Sequence, residues 1–484
     1  MASIVLTKGF SLLTIPLMTN FVSPADYGHL DVVVSFMEFL GLIFALGLAD
    51  TLFRFASNQK NASKQSQIAA EIIGTGIILA VLLGITVQLF VPVFLASLPI
   101  EFGEGAIRAG FFAATLSGLI ALPLAWVRLK NQPFLFFIFT AMRGFLLALS
   151  TVSVAWAGYD IETILYTNAA VDILIATIIL SSMIRSTGVS FHLAAFKRTF
   201  NYGLPLVGGS LAMFALGALD RWFLVGTVSN ISLAHYAVAT KLALAAPLLM
   251  QPFSLWWFAQ RYEILAQPQG RERVASIISV GFVILFLSAA IISLAAPLFI
   301  HITMPAEYMK AVVYLPWLVA ITVLNESNGL LNLGVYRKDH GYLVMTINSI
   351  AAIVALIGYW IAIPTYGIAG AIGVTLLAQS VRLCLFLLLG QKEIAIPYAL
   401  GRISAIGLLT ALIISTAPPA TDKIALILWT IVGLCTIAAS AFLTRLIHFD
   451  ISILKNTKQQ TQEAAKDILW NPLDDNISLR GKIS

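Results

Sequence analysis

Charged residues are scarce in this sequence. Of its 484 residues, 11% are Asp, Glu, Lys or Arg, whereas 59% are hydrophobic and the mean hydropathy is +0.92. A soluble domain carries about 25% charged residues, so this chain has too few of them to cover a surface that faces water. We therefore expect the lipid bilayer to be its solvent, which excludes most classes of soluble enzyme.

Cysteine is rare, and a nucleotide-binding loop is missing. The chain has 2 cysteines, Cys384 and Cys435, and each lies inside an apolar run. These two thiols cannot form a disulfide framework, and they do not have the spacing of metal ligands. A chain that hydrolyses ATP itself would need a Gly-x-x-x-x-Gly-Lys-Ser/Thr loop, which this sequence lacks. The sequence therefore predicts no metal, no cofactor and no catalytic residue.

Long apolar segments fill most of the chain. A membrane-spanning helix needs about 20 mostly apolar residues, and by this rule the sequence predicts an all-α polytopic membrane protein with about 14 spanning helices. Lys8 interrupts the first segment and no small-residue cleavage site follows it, so we expect a retained helix and not a signal peptide. The predicted helices cover approximately residues 3–22, 30–54, 68–92, 106–129, 134–157, 162–184, 201–225, 232–260, 272–302, 311–336, 341–363, 367–390, 400–417 and 422–446.

Basic residues occur in every second gap between these segments. Short cytoplasmic loops collect Lys and Arg whereas translocated loops do not, so the alternation predicts many crossings with both termini in the cytoplasm. The formal charge of +6 is spread over short loops, and we expect no nucleic-acid partner. The basic gaps contain Arg54, Lys60 and Lys64; Arg128 and Lys130; Lys197 and Arg198; Arg261, Arg271 and Arg273; Arg337 and Lys338; and Lys392 and Arg402.

A short repeat divides the chain. The predicted turns at residues 22–32 and 228–238 share Val, Ser, His and a second Val at identical spacing, and each turn joins the first two helices of a six-helix block. Because six is even, both blocks start on the same side of the membrane, so an axis along the membrane normal must relate them. We expect two parallel lobes around a central cavity. The predicted parts are a six-helix lobe (1–198), a second six-helix lobe (199–391), two additional helices (392–447) and a polar cytoplasmic tail (448–484).

Several short motifs are typical of one family of membrane proteins. They are Lys8-Gly9-Phe10, Pro16-Leu17-Met18-Thr19, Ser23-Pro24-Ala25-Asp26-Tyr27-Gly28, Gly47-Leu48-Ala49-Asp50, Arg54-Phe55, Asp220-Arg221-Trp222-Phe223-Leu224 and Tyr366-Gly367-Ile368-Ala369-Gly370-Ala371. Through them the chain resembles bacterial polysaccharide-biosynthesis membrane proteins, which are lipid-linked oligosaccharide flippases of the O-antigen and exopolysaccharide type. This family belongs to the multidrug/oligosaccharidyl-lipid/polysaccharide exporter superfamily.

The resemblance implies a secondary transporter in the bacterial inner membrane. Its implied substrate is a polyprenyl-diphosphate-linked oligosaccharide, which alternating access turns from the cytoplasmic to the outer leaflet. Membrane lipid, glycan polymerases and glycosyltransferases are the implied partners. Many relatives have twelve helices, so the last two predicted helices depart from the simplest pattern. Some lipid-carrying relatives have fourteen.

Five cations are predicted inside or near the bilayer. A charge at the bilayer centre costs about 2.5–3.5 kcal/mol on insertion scales, so we expect each to face a cavity or a partner. Phosphate oxygens accept charge-assisted hydrogen bonds from Arg and Lys, which fits a cationic cavity that binds the implied diphosphate. The candidates are Lys8, Arg143, Arg221, Lys241 and Arg382. The alternative is pairing with carboxylates, for which the candidate pairs are Lys8 with Glu38, Arg143 with Asp172, and Arg221 with Asp220 or with a neighbouring carboxylate at the interface.

Polar residues inside the helices are candidates for contacts with the sugar or with a coupled proton or sodium ion. Asn325, Glu326 and Asn328 form the most polar run, and their side chains suit sugar hydroxyls as well as a cation. Glu38 and Asp172 are the other two candidates of this kind. Hydrogen bonding between helices is the alternative for the run 325–328, and pairing with Lys8 or Arg143 is the alternative for Glu38 and Asp172.

Asp50 and Arg54 form a candidate gate or structural pair. They are four residues apart with the acid first, which is the geometry of a local ion pair on one helix face. We expect this pair near the cytoplasmic mouth. Contact with a lipid headgroup is the alternative role.

Two other classes of function compete with the flippase. An ion-coupled multidrug or cation antiporter of the same superfamily needs carboxylates in an apolar cavity, whereas here cations rival or outnumber acids near the predicted midplane. A membrane glycan polymerase or ligase usually displays a large outer loop with catalytic residues, whereas the predicted outer loops are a few residues long. Both contrasts favour transport of an anionic substrate over these alternatives, and we do not expect an enzyme.

Overall fold

Helices are the only regular elements in residues 2–59, 61–97, 102–336, 341–444 and 446, which are the residues that the structure, a computed structural model, describes. The all-α membrane class predicted from the sequence is confirmed. The elements are α1 (Ala2–Phe21), α2 (Pro24–Ala45), α3 (Leu48–Ala56), α4 (Ala62–Ser97), α5 (Glu104–Thr115), α6 (Ser117–Leu129), α7 (Pro133–Trp156), α8 (Ile161–Thr187), α9 (Leu193–Gly217), α10 (Asp220–Leu224), α11 (Asn230–Ala243), α12 (Ala245–Ala266), α13 (Gly270–Thr303), a 3₁₀ helix (Ala306–Val313), α14 (Leu315–Leu331), α15 (Gly341–Glu393), α16 (Leu400–Ser415) and α17 (Lys423–Leu443).

Each predicted spanning segment overlaps a helix, yet the predicted number of fourteen is not confirmed. Within the described residues, 10 helices are long and apolar enough to cross a membrane, or 11 when the bent pair Ala306–Val313 and Leu315–Leu331 counts as one span. The helix α16 has 16 residues and is shorter than a span. Helix α15 counts once, although Gly367 (φ +53°, ψ −129°) breaks it into two arms that match two predicted segments.

Some predictions of the sequence stay untested. The polar tail 448–484, Lys60, and the basic pair Arg337 and Lys338 lie outside the described residues. The sidedness of the membrane and the division into two lobes also remain predictions. Below, the N-terminal half means α1–α8 and the C-terminal half means α9–α15.

A sharp break separates α2 from α3 inside one predicted segment. Leu46 (φ +41°) and Gly47 (φ +58°) both adopt the left-handed conformation, which glycine tolerates without steric cost. Helix α9 of the C-terminal half packs against this break. A Cβ on Gly203 would lie 2.0 Å from the carbonyl oxygen of Leu46, so only glycine lets the two backbones approach so closely. The contact joins the two halves of the molecule.

The two copies of the repeat face each other in the fold. Ser23 and Ser229 occupy equivalent repeat positions and cap α2 and α11, each accepting a hydrogen bond of 3.2 Å from a backbone N–H three residues later. A Cβ on Gly28 would lie 2.6 Å from the carbonyl oxygen of Asn230, so the two helices touch at their capped ends. The repeat found in the sequence therefore marks a contact between the halves.

The additional helices α16 and α17 pack on α13. Ile403, Ile406 and Ile413 of α16 share one buried apolar cluster with residues of α13. A Cβ on Gly407 would lie 3.0 Å from the ring of Phe286, so this glycine sets how closely α16 approaches. These helices therefore lie outside the contact between the two halves, on the far side of the C-terminal half.

Candidate functional site

A buried carboxylate from one half binds two cations from the other. Asp31 of α2 is 6% exposed, and its Oδ1 lies 2.8 Å from Lys241 Nζ of α11. Its Oδ2 lies 2.8 Å from Arg221 Nε of α10, whose side chain is 9% exposed. A buried ion pair is costly to break because one charge is then left without a partner. The three side chains therefore tie the halves together.

The short helix α10 places Arg221 in this cluster. The preceding helix ends at Gly217, where Ala218 (φ −148°) leaves the helical conformation and redirects the chain. Trp222 then anchors α10 on α2, because its ring stacks on Phe36 at 3.7 Å and its Nε1 donates a 2.9 Å hydrogen bond to Ser35 Oγ. The guanidinium of Arg221 consequently reaches Asp31.

A second carboxylate neutralises the cluster. Asp220 Oδ1 accepts a 2.9 Å hydrogen bond from the backbone N–H of Arg221, and the hydroxyl of Tyr236 donates to Asp220 Oδ2. Together with Asp31, Asp220 balances the charges of Arg221 and Lys241. The predicted surplus of cations is therefore absent from this cluster, because Lys241 and Arg221 both meet Asp31, which the sequence did not indicate. Asp220, the partner that the sequence suggested for Arg221, binds its backbone N–H, while the guanidinium pairs with Asp31.

Lys241 is the member of the cluster that faces open space. Its side chain is 35% exposed, and its Nζ donates a 3.1 Å hydrogen bond to the hydroxyl of Tyr27 while it lies 4.7 Å from the centre of that ring. Asp31 and Lys241 line a cavity of about 330 Å³ between α1, α2, α7 and α8. Thr14 and Asn168 also line it, so its wall offers polar hydrogen-bonding groups beside the exposed ammonium.

Glu38 and Lys8 lie near this cluster without forming the predicted ion pair. Glu38 follows Asp31 by seven residues on α2 and is exposed. The charges of Lys8, Arg221 and Lys241 act on Glu38 electrostatically without direct contact. No ion pair joins Lys8 to Glu38 in the described part of the chain, so that suggested pairing is wrong.

The predicted pair of Arg143 with Asp172 is present. Arg143 Nε of α7 donates a 2.8 Å hydrogen bond to Asp172 Oδ1 of α8, so both residues belong to the N-terminal half. The two side chains are 38% and 15% exposed, so the pair is partly accessible. In this conformation Asp172 neutralises Arg143 locally.

Arg382 is held by amides and not by an acid. Its Nε donates a 2.8 Å hydrogen bond to Asn348 Oδ1, and its Nη1 donates to Asn325 Oδ1 at 3.0 Å and to Gln379 Oε1 at 3.4 Å. Asn328 donates to the same Gln379 at 3.4 Å. The polar run predicted on α14 therefore binds α15 in the C-terminal half, and no carboxylate among the described residues pairs with Arg382.

Glu326 and the pair Asp50–Arg54 lie outside this cluster. Glu326 is partly buried on α14 and makes no hydrogen bond or ion pair with the described residues. Asp50 and Arg54 of α3 are both exposed, and no ion pair joins them in the part of the chain that the structure describes. The spacing of four residues permits such a pair, but long exposed side chains gain little from it.

Asp31 and Tyr236 were not among the residues expected from the sequence. Asp31 carries a signal that could have identified it, because it is an acid inside an apolar helix and lies in the repeat segment 22–32. Tyr236 also lies in the repeat, in segment 228–238, but it carries no charge that would single it out, and its partner Asp220 comes from another helix. No group of three or more His, Cys, Asp or Glu that could hold a metal ion occurs among the described residues.

Comparisons with known proteins agree with this fold. The model of a family described as polysaccharide biosynthesis protein matches residues 1–257. The lipid II flippase MurJ, in an inward closed conformation, is similar in structure with a TM-score of 0.70 and 13% identity, covering 92% of this chain and 98% of that one. An inward-facing multidrug resistance MATE family transporter of the MOP superfamily has a TM-score of 0.58 and 14% identity, covering 82% and 95% of the two chains. At these identities the likeness shows the fold alone, and no curated protein matches the sequence.

Proposed function

We propose that this chain, which belongs to the polysaccharide biosynthesis protein family, is a secondary transporter that flips a polyprenyl-diphosphate-linked oligosaccharide. The lipid-linked glycan moves from the cytoplasmic to the outer leaflet of the bacterial inner membrane, for O-antigen, capsule or exopolysaccharide synthesis. Glycosyltransferases would supply this substrate and a glycan polymerase would consume it. Both termini face the cytoplasm in this proposal.

One observation carries the proposal: the ion pairs of Asp31 with Arg221 and Lys241 join the halves at the wall of a mostly apolar cavity, into which the ammonium of Lys241 is exposed. A ligand in that cavity can therefore reach the contact that holds the halves together. Alternating access requires that a ligand in the cavity affects the contact that closes the two halves against each other. The proposed moving bodies are the two six-helix lobes, 1–198 and 199–391.

An anionic substrate can bind these cations by replacing the Asp31 carboxylate. Lys241 is exposed to the cavity, and phosphate oxygens accept charge-assisted hydrogen bonds from an ammonium or a guanidinium. The Lys241 ammonium donates to Asp31 and Tyr27 and keeps a third N–H for a phosphate oxygen. A diphosphate reaches the buried Arg221 as well only by taking the place of Asp31. That replacement removes the carboxylate bridge between α2 and the C-terminal half. Substrate binding thus favours opening of this contact.

The other candidate residues have subsidiary roles in this scheme. Lys8 is exposed near Glu38, and Arg143 is partly accessible beside Asp172, so both cations can meet phosphate oxygens without further burial. Asp172, Asn325 and Asn328 are proposed to bind sugar hydroxyls. Arg382, held by three amides, is proposed as a further contact for the diphosphate.

A gradient of protons or sodium ions is the proposed energy source. Glu326 has no charged or hydrogen-bonding partner among the described residues, and Glu38 is exposed beside Asp31. A carboxylate inside the bilayer without a partner is costly as an anion, so it favours the uptake of a proton or a cation. Downstream consumption of the flipped substrate would add to the driving force.

The proposal is tested in a strain that lacks this protein. Mass spectrometry quantifies lipid-linked oligosaccharide, and a periplasmic glycan-modifying enzyme reports which leaflet holds it. We expect the glycan to accumulate on the inner face, and wild-type protein but neither Lys241→Ala nor Arg143→Ala to restore it to the outer face. The control Arg402→Gln removes an exposed cation and should restore it fully.

An ion-coupled multidrug antiporter is the second candidate. The fold likeness to a MATE family transporter favours it, as do Glu38 and Glu326, which no cation neutralises by direct contact in the described residues. If the deletion strain keeps unchanged lipid-linked oligosaccharide and becomes sensitive to cationic dyes, the protein is an antiporter and the flippase proposal is wrong.

A further inference from the structure

A groove opens beside the first turns of α13, at the place where the chain leaves the described structure. Its volume is about 370 Å³. Its floor is one face of α13, on which Ala275 and Ser279 are four residues apart. Pro397, in the segment between α15 and α16, lines a second wall, and Leu446, just after α17, lines a third. Three separate parts of the chain therefore enclose this groove.

The segment between α15 and α16 is held in place as a wall of the groove. The side chain of Gln391 donates a 2.8 Å hydrogen bond to the carbonyl oxygen of Ile396 and accepts one of 3.0 Å from its backbone N–H. Ile394 and Ile396 are buried in the apolar cluster that α13 shares with α16. Pro397, the next residue, is exposed and lines the groove. An apolar ring on a fixed backbone therefore faces open space.

The end of α17 directs the chain into the groove. The backbone N–H of Leu446 donates a 3.0 Å hydrogen bond to the carbonyl oxygen of Ala441, five residues earlier. A bond of this span at a helix end belongs to a Schellman turn, in which the donor residue packs back on the last helical turn. Leu446 and Ala441 are indeed buried in the same apolar cluster. Because Leu446 is held there, the residues that follow it start beside the groove.

The sequence after Leu446 has an apolar residue at every second position. Residues 447–484 lie outside the described part of the chain, and Lys455 begins a polar run. Strict alternation of apolar and polar residues is typical of an extended segment with one apolar side. That side requires an apolar surface, and the groove is the first one along the chain. The alternating stretch reads Ile447-His448-Phe449-Asp450-Ile451-Ser452-Ile453-Leu454.

We propose that residues 447–454 dock in this groove of their own chain, with Ile447 and Phe449 facing α13. Because the segment is attached to Leu446, its effective concentration at the groove is far higher than that of a free peptide. The groove volume of about 370 Å³ lies within the roughly 300–1,000 Å³ of cavities that bind small ligands, so it admits these two side chains. Hydroxyl groups of the lining residues Ser276 and Ser279 can bind the backbone of the segment.

Docking of this segment has a consequence for the additional helices. It ties the end of α17 to the start of α13 and to the segment that precedes α16. Helices α16 and α17 then move with the C-terminal half as one body. The docking goes beyond the proposed function, because it requires no substrate and no transport.

Disulfide trapping in the full-length protein in nanodiscs tests the docking. The exposed Cys384 and Cys435 are first replaced by Ser. Ser276→Cys, at an exposed position of the groove, is then combined with one further cysteine in the segment. Successive side chains of an extended segment point to opposite sides, and a disulfide needs Cα atoms about 4.4–6.8 Å apart. We therefore expect Ile447→Cys and Phe449→Cys to be linked about fivefold or more over His448→Cys and Asp450→Cys.

Thiol labelling tests whether the segment covers the groove. In the same cysteine-free background, Ser276→Cys reacts with a water-soluble maleimide. Adding Ile447→Asp and Phe449→Asp places unpaired charges in the docked segment, which is costly, so the segment should leave and labelling should become about tenfold faster or more. Ser63→Cys, at an exposed serine at the start of α4, is the matched control and should react equally fast in both backgrounds. An unchanged melting temperature shows that the packing of the helices is intact.

Four outcomes would overturn the docking. Links that appear at the mass of a dimer would assign the groove to the segment of a second copy. Equal linking at all four positions, or no linking at any of them, would show that the apolar side of the segment does not face α13. Slow labelling of Ser276→Cys in both backgrounds would show that lipid or another part of the chain covers the groove. Flipping in cells is measured independently, so either proposal can fail alone.

Discussion

At the scale of single residues, Asp31 decides how the charges of this protein are arranged. The sequence indicated the cations Lys241 and Arg221 but not the acid between them, because Asp31 lies far from both in the sequence. An ion pair between distant helices depends on how those helices pack, and hydropathy contains no such information. The pair of Arg143 with Asp172 was easier to suggest, because it joins neighbouring helices α7 and α8.

Replacing Asp31 by Asn should destabilise the protein strongly. The change leaves Arg221 and Lys241 close together without their shared counter-charge, and removing one partner of a buried pair costs about 3–5 kcal/mol. Thermal unfolding in detergent measures the effect, and Asp50→Asn, at an exposed acid without an ion pair, should change stability by less than about 0.5 kcal/mol. Adding Lys241→Gln to Asp31→Asn should recover part of the loss, because less charge remains unpaired. Equal effects of the two Asp→Asn changes would contradict the role of Asp31.

At the scale of helices, the main differences from the sequence-based expectation are breaks. The segments predicted as 30–54 and 201–225 are each interrupted, at Leu46–Gly47 and at Ala218–Leu219. Hydropathy is continuous across both places, so a window of 20 residues cannot detect them. Each break has a structural reason. Helix α9 packs against the break at Leu46–Gly47, and the break at Ala218–Leu219 lets Arg221 reach Asp31.

Two glycines of α9 provide a matched test of the first contact. A Cβ on Gly203 would meet the Leu46 carbonyl oxygen at 2.0 Å, whereas a Cβ on Gly208 would meet nothing within 4 Å. We expect Gly203→Ala to destabilise the protein by about 1–3 kcal/mol through overpacking. Gly208→Ala should be neutral or stabilising by up to about 1 kcal/mol, because alanine favours a helix. Thermal unfolding of both variants measures this, and a similar loss in both would show that α9 does not press on the break.

At the scale of the whole molecule, the sequence predicted the helical membrane fold and the repeat but not the exact number of spans. Ser23 and Ser229 were correctly placed in equivalent turns, because capping chemistry is local and leaves a pattern in the sequence. The number of spans depends on bent and short helices such as α15 and α16, which composition alone does not resolve. The candidate site was predicted in part: its cations were named and a cavity was expected, whereas the bridging acid and the residues that line the cavity required the fold.

The most direct test of transport uses purified protein in proteoliposomes that contain a fluorescent polyprenyl-diphosphate-linked saccharide. An enzyme added outside modifies only the saccharide in the outer leaflet, so the modified fraction reports flipping. With wild type we expect the modified fraction to exceed the half that is accessible without protein. Lys241→Gln should reduce the rate about tenfold or more through lost contacts to phosphate, while Arg402→Gln keeps it. A wild-type rate equal to that of protein-free liposomes, or an unchanged rate for Lys241→Gln, would contradict the account.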